Sequence, residues 1–188
     1  MPKTRARDKR GYFTQHAREE CGARSLGRVA LGRSAPIRFH PPMRRRILVA
    51  GKPALAFAAA GVAEYMKRLG RHGGCELVEL KAGDPARVSR ELLARSEGDY
   101  RIALDERGEA LTTRQWEQRL SALEMRGDVK RVSFLIGAAD GHTDELRAKA
   151  DGVWQLSALT LQHELALVVL LEQLYRVATL KSGSPYHR

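Results

Sequence analysis

The last residues, Tyr186-His187-Arg188, bring three kinds of chemistry side by side. An aromatic ring can stack, an imidazole can exchange a proton near neutral pH, and a guanidinium can hold phosphate. Gly183-Ser184-Pro185 precedes them and can turn the backbone back on itself. Upstream, Leu156-Ser157-Ala158-Leu159-Thr160-Leu161 sets hydroxyls between leucines. Taken alone, it reads as a buried strand and turn. Gly137 ends an apolar run and permits close approach to backbone. Arg176 either pairs with Glu172, four residues earlier on a helix, or binds phosphate. Tyr175 reads as a packed structural ring.

Other chemistries lack their residues. No G-x-G-x-x-G or G-x-x-x-x-G-K-[ST] follows the first strand, and the Gly51-Lys52-Pro53 turn lacks the glycines that cradle a pyrophosphate. No G-x-S-x-G elbow is present. The histidines show no metal-ligand spacing, so no metal is expected. Cys21 and Cys75 suggest no disulfide framework, and a reducing, cytoplasmic compartment is expected. The longest strictly apolar run of the last helix, Leu165 to Leu171, is seven residues, too short to span a bilayer.

These residues need elements to position them. Ile47–Ala50 reads as a short buried strand ended by Gly51, and Ala54–Leu69 as a helix stopped by Gly70. Cys75–Leu80 alternates as a strand. Asp84-Pro85 is an N-cap with proline at the first helical position, opening a helix to about Ser96. Arg101–Leu104 is the third strand. Thr112-x-x-Gln115 is a capping box for a helix to about Met125. Val132–Ile136 is the fourth strand, Thr143 caps a short helix to about Ala150, Val153–Leu156 is the fifth strand, and His163 to about Leu180 is the last helix. This alternation predicts an α/β domain with a mainly parallel sheet flanked by helices. Ligands in such sheets bind beyond the carboxyl ends of the strands. The last helix is apolar on more than one side, from Leu165 to Val177, as either a central core helix or one that also forms a subunit seam.

Net charge is +11 and unevenly spread: residues 1–42 hold ten Lys/Arg and three Asp/Glu, whereas 43–188 hold 23 and 19. The first segment lacks sustained periodicity and is expected to be a disordered basic extension. It is an RNA-contacting arm, a transit peptide, or a stretch preceding a true start at Met43, the reading favoured here. The compact domain is expected over 43–188.

Leu135-Ile136-Gly137-Ala138-Ala139-Asp140-Gly141, Leu156 to Leu161, Leu174-Tyr175-Arg176 and Pro185-Tyr186-His187-Arg188, in this order, resemble the RlmH family of ribosomal RNA methyltransferases, within the SPOUT superfamily. The resemblance covers residues 43–188. It implies a C-terminal trefoil knot, a homodimer, and S-adenosylmethionine bound in the knot. The implied reaction methylates N3 of a pseudouridine in helix 69 of 23S rRNA within the ribosome. The implied cofactor-binding residues are Leu104, Gly137, Leu156, Ser157, Ala158, Leu159, Thr160 and Leu161. Arg176, Tyr186 and Arg188 would contact RNA. His187 would be catalytic, as the acceptor of the N3 proton or as an orienting group. The family usually has a second glycine where this chain has Ala138, and a loop proline and a nearby arginine where this chain reads Gln162-His163-Glu164-Leu165-Ala166-Leu167. The alternatives are a SPOUT-fold RNA-binding protein without methyl transfer and a methyltransferase with another RNA target.

Overall fold

The computed structural model describes residues 43–187, the His187 side chain excepted. The expected N-terminal extension, residues 1–42, and Arg188 lie outside the described residues, as does the imidazole of His187.

Among the described residues, five strands alternate with five helices. They are β1 (Arg44–Ala50), α1 (Ala56–Gly70), β2 (Glu76–Leu80), α2 (Pro85–Arg95), β3 (Tyr100–Ala110), α3 (Thr113–Met125), β4 (Arg131–Ile136), α4 (Asp144–Lys149), β5 (Gly152–Gln155) and α5 (His163–Lys181). A single 3-10 turn follows, Pro185–His187. The strands form one sheet in the order β2-β1-β4-β3-β5, every neighbouring pair parallel.

The period of two in each strand splits the core. Ile47, Val49, Ile102, Phe134 and Ile136 face one layer, with Leu167, Leu170, Leu171 and Leu174 of α5 among their neighbours. Leu48, Ala50, Ala103 and Leu135 face the other, with Val88 and Leu92 of α2 and Leu146 of α4. A parallel sheet covered on both faces requires such near-continuous apolar strands.

The capping signals form as expected. Asp84 Oδ1 accepts from the Arg87 N–H at 3.0 Å. Thr112 and Gln115 complete a reciprocal capping box. Thr143 Oγ1 accepts from the Leu146 N–H at 3.3 Å.

The largest departure from the sequence pattern is β3. Expected over Arg101–Leu104, it runs to Ala110 and pairs β5 twice, at Leu104↔Trp154 and again at Glu109↔Trp154. The register breaks between these points, so residues 105–108 bulge from the sheet. The charged run Asp105-Glu106-Arg107 removes the apolar alternation that would announce a strand. Gly108 sits so close to β5 that a Cβ there would lie 2.6 Å from the Trp154 backbone. Strand β1 also begins earlier than expected, with three arginines ahead of its apolar half.

α5 is a core helix over most of its circumference. Leu167, Leu170, Leu171 and Leu174 are fully buried, and α1 and α3 pack against the helix. What remains outside is a smaller apolar group near its start. Leu165 is 37% exposed, as are Leu55 (45%) and Phe57 (57%) around the start of α1 and Leu159 (72%) in the preceding loop.

Candidate functional site

At the carboxyl ends of β3, β4 and β5 lies a cavity of about 440 Å³. Three segments wall it. The first is the end of β3 with its bulge, Leu104 to Arg107; the second is the β4–α4 loop, Ile136 to Gly141; the third runs from Leu156 to His163 without Ala158. Of the eight residues expected to bind a cofactor, seven line this space: Leu104, Gly137, Leu156, Ser157, Leu159, Thr160 and Leu161. Ala158 is exposed and outside the lining.

The second wall is a tight turn. The Gly141 N–H donates to the Ala138 carbonyl at 2.9 Å. A Cβ on Gly137 would lie 2.9 Å from the Gly141 oxygen and 3.0 Å from His142 Nδ1. The glycine is therefore demanded first by the loop's own closure. Ala138 lines the cavity, and it also packs against the core layer of α2 and α4.

Beneath the turn, His142 is 4% exposed and its Nε2 lies 3.1 Å from the Leu135 carbonyl. Its Nδ1 is buried without a partner among the described residues. Burial pushes its pKa below the ordinary histidine value, only partly offset by the Leu135 carbonyl and Asp105. Neutral imidazole, with Nε2–H donating, is the form this position accepts. Arg147 binds the two walls together: it donates to the His142 carbonyl and, at 3.0 Å, to Asp105 Oδ2. Burial alone would raise the Asp105 carboxyl, but the Arg107 N–H and the Arg147 guanidinium outweigh it and hold it below the usual carboxylate range.

The third wall is tied internally and across the cavity. Ser157 Oγ accepts from the Leu159 N–H at 3.0 Å, and Gln155 Nε2 donates to the Ser157 carbonyl at 2.8 Å. The Thr160 hydroxyl donates to Glu106 of the β3 bulge. Sequence reasoning reached the third strand's end at Leu104 but gave no site role to Asp105, Glu106, Arg107, Arg147, His142 or His163. A bulge and a mid-helix arginine leave no local signature.

The C-terminal residues gather elsewhere. Tyr186 meets Tyr175 edge-on with ring centroids 4.8 Å apart. Arg176 bonds Glu172 at 3.0 and 2.6 Å and lies 5.0 Å from the Tyr186 ring centre. Burial, then a hydrogen bond with Tyr65, pushes the Tyr186 hydroxyl up to about 12. Tyr175 is packed as expected, against Tyr65 and His72 as well. This cluster sits on the second half of α5, from Glu172 to Arg176, about 14–20 Å along the helix from His163 at 1.5 Å per residue. The structure thus gathers the expected cofactor residues into one cavity but does not bring Tyr186 or Arg176 to it.

The family described as "Predicted SPOUT methyltransferase" matches residues 43–187. A protein named ribosomal RNA large subunit methyltransferase H, from Thermus thermophilus, is 49% identical over 146 residues, covering 78% of this chain and 99% of its own. The chain belongs to this SPOUT methyltransferase family. A relative of the same name from Deinococcus radiodurans is 39% identical over 146 residues, again 78% of this chain and 99% of its own length. Among solved structures, a tRNA (m1G37) methyltransferase from Aquifex aeolicus is similar over 71% of this chain and 70% of its own, with a TM-score of 0.46 and 14% identity. As a SPOUT methyltransferase, the chain has its cavity where open α/β sheets bind ligands, and the cavity's size suits a small organic cofactor.

Proposed function

We propose that this protein methylates ribosomal RNA with S-adenosylmethionine, at N3 of a pseudouridine in helix 69 of 23S rRNA, as a homodimer in the cytoplasm. The cavity at the strand ends carries the reading. Its volume, its close-approach glycine and its leucine-and-backbone third wall fit an adenosine. Its three carboxylates, Asp105, Glu106 and Asp140, outnumber its two guanidiniums, Arg107 and Arg147, and this slight negative balance fits a cofactor that carries positive charge. The names of relatives matched over nearly their whole length support rRNA as the substrate.

When bound, S-adenosylmethionine supplies a methyl group already activated on a sulfonium. The protein then has to place, desolvate and deprotonate the acceptor. Leu104 and the leucines of 156–161 hold the adenosine faces, and the backbone of that segment meets its edge. The N3 proton of the base passes to the His187 imidazole as N3 takes the methyl; an imidazole is a suitable acceptor near neutral pH. Tyr186 stacks on a base and Arg188 holds a phosphate, with Arg176 as a further phosphate contact once it exchanges Glu172 for RNA.

The distance between tail and cavity supports the dimer. With about 14–20 Å of helix between the cavity end at His163 and the residues Tyr186 packs on, Tyr186–Arg188 serve the cavity of a second copy. The exposed group Leu55, Phe57, Leu159 and Leu165 offers that copy an apolar surface. After β5 at the sheet edge the chain returns to α5, which packs on α1 and touches β1 and β4. That return supports a trefoil knot in the C-terminal segment.

Mass spectrometry of helix 69 RNA from cells with and without the gene tests the reaction. Loss of one methyl at a pseudouridine is expected; an unchanged helix 69 overturns the target. Removing Tyr186 to Arg188 should abolish methylation while calorimetry still shows S-adenosylmethionine binding. Loss of cofactor binding would place the tail in the cofactor site instead.

A further inference from the structure

The third wall of the cavity ends where α5 begins, and there the chain has an unusual fastening. Glu164, the second residue of α5, is 6% exposed although charged. Its Oε2 accepts from the N–H of Ala54 at 2.8 Å and of Leu55 at 2.9 Å, some 110 residues earlier in the chain. Those N–H groups lead into α1, whose own N-cap, Leu55, makes no side-chain cap. The start of α5 is capped separately. Gln162 accepts from the N–H groups of Glu164 and Leu165 at 3.0 and 3.1 Å, so the Glu164 side chain reaches outward, with its Oε1 meeting Gln162 Nε2 at 3.4 Å. A carboxylate is welcome in the first turn of a helix, where peptide N–H groups point toward it. Beside this contact, Gly51 lies against His163: a Cβ there would be 3.3 Å from the His163 Nε2. His163 lines the cavity. The β1–α1 loop and the end of the cavity wall are thus joined at two adjacent points.

We propose that Glu164 is a positioning residue for the cavity: its buried carboxylate clasps the approach to α1 and so holds the 156–163 wall in its binding shape. Of the other bonds described for this wall, Thr160 to Glu106 across the cavity and Leu159 to Ser157 within the loop are exposed, and the part-buried bond of Gln155 to Ser157 ties only the start of the loop to the residue just before it. Exposed hydrogen bonds compete with water and fix a loop weakly. The Glu164 clasp ties the wall to a segment distant in the chain through bonds shielded from water, and it acts from the rigid end of a 19-residue helix. Fixing the wall beforehand spares the cofactor the ordering cost of binding. The proposal rests on the reading that this cavity binds S-adenosylmethionine.

The test compares Glu164→Ala, Glu164→Gln and Leu69→Ala in the full-length protein. Leu69 is fully buried at the other end of α1, so its truncation loosens the helix layer without touching the clasp. S-adenosylmethionine affinity is measured by calorimetry, melting temperature by scanning, and amide exchange of 156–162 without ligand. Glu164→Ala should weaken binding roughly tenfold and speed exchange at Leu159 to Leu161. Glu164→Gln should bind within about threefold of wild type, because one amide oxygen accepts both N–H groups as Oε2 does. Leu69→Ala should melt lower yet keep its affinity. Unchanged affinity in Glu164→Ala, failure of Gln to rescue it, or an equal loss in Leu69→Ala overturns the proposal. If folded wild type binds no S-adenosylmethionine, the cofactor reading fails instead, and unchanged amide exchange in Glu164→Ala then overturns the clasp independently.

Discussion

His142 shows how one side chain sets the chemistry around it. Its ring props the cavity turn from below, with Nε2 engaged and Nδ1 shut away from water. The groups facing it are Asp105 from β3 and Arg147 from α4. Because the folded protein lowers the pKa below the unfolded value of about 6.5, the unfolded chain binds the proton more readily. Stability is then fully present above about pH 6.5 and is lost as pH falls below it. His142→Gln, which keeps a donor for Leu135 and removes the titration, should flatten that loss. Melting curves of both proteins from pH 7.5 to 5.5 check it; parallel declines would clear His142 of the effect.

At the scale of elements, the exposed apolar group at the starts of α1 and α5 makes its own prediction. Phe57→Lys should yield a folded monomer at micromolar concentration by light scattering, since an unpaired charge buried at an interface costs several kcal/mol. A wild-type monomer, or an unaltered Phe57→Lys dimer, would remove this face from the interface. How much of such arrangements the sequence discloses follows from which forces are local. The caps at Asp84, Thr112 and Thr143 were legible because a cap is a bond between residues three apart. The strands β4 and β5 were legible from apolar runs that a covered sheet demands, and β2 from its alternation. The second half of β3 was not, because its polar residues pair an edge strand through backbone alone. The cavity was legible at Gly137 and Leu156–Leu161, where a strand end or a resemblance marked it. Arg147 and Glu164 were hidden, since their partners lie 42 and 110 residues away. Gln162 and Glu164, which stand where the family tends to have a rigid loop, prove to be fasteners themselves.

For the whole molecule, the two core layers and the cavity all lie within residues 43–187. Deleting residues 1–42 should leave folding, self-association and methylation intact; loss of soluble dimer on deletion would give that segment a structural part. The length of α5 has one more consequence. If cavity and tail in each working centre come from different chains, two defects in different chains can heal each other. A chain with its cavity blocked, Leu104→Trp, and a chain lacking Tyr186 to Arg188 should each be inert alone. Denatured together in equal amounts and refolded, half of the pairs would be mixed. Each mixed pair would hold one intact centre, giving about a quarter of wild-type turnover. Genetics would record this as complementation between two null alleles of one gene, a behaviour that a self-sufficient subunit does not show.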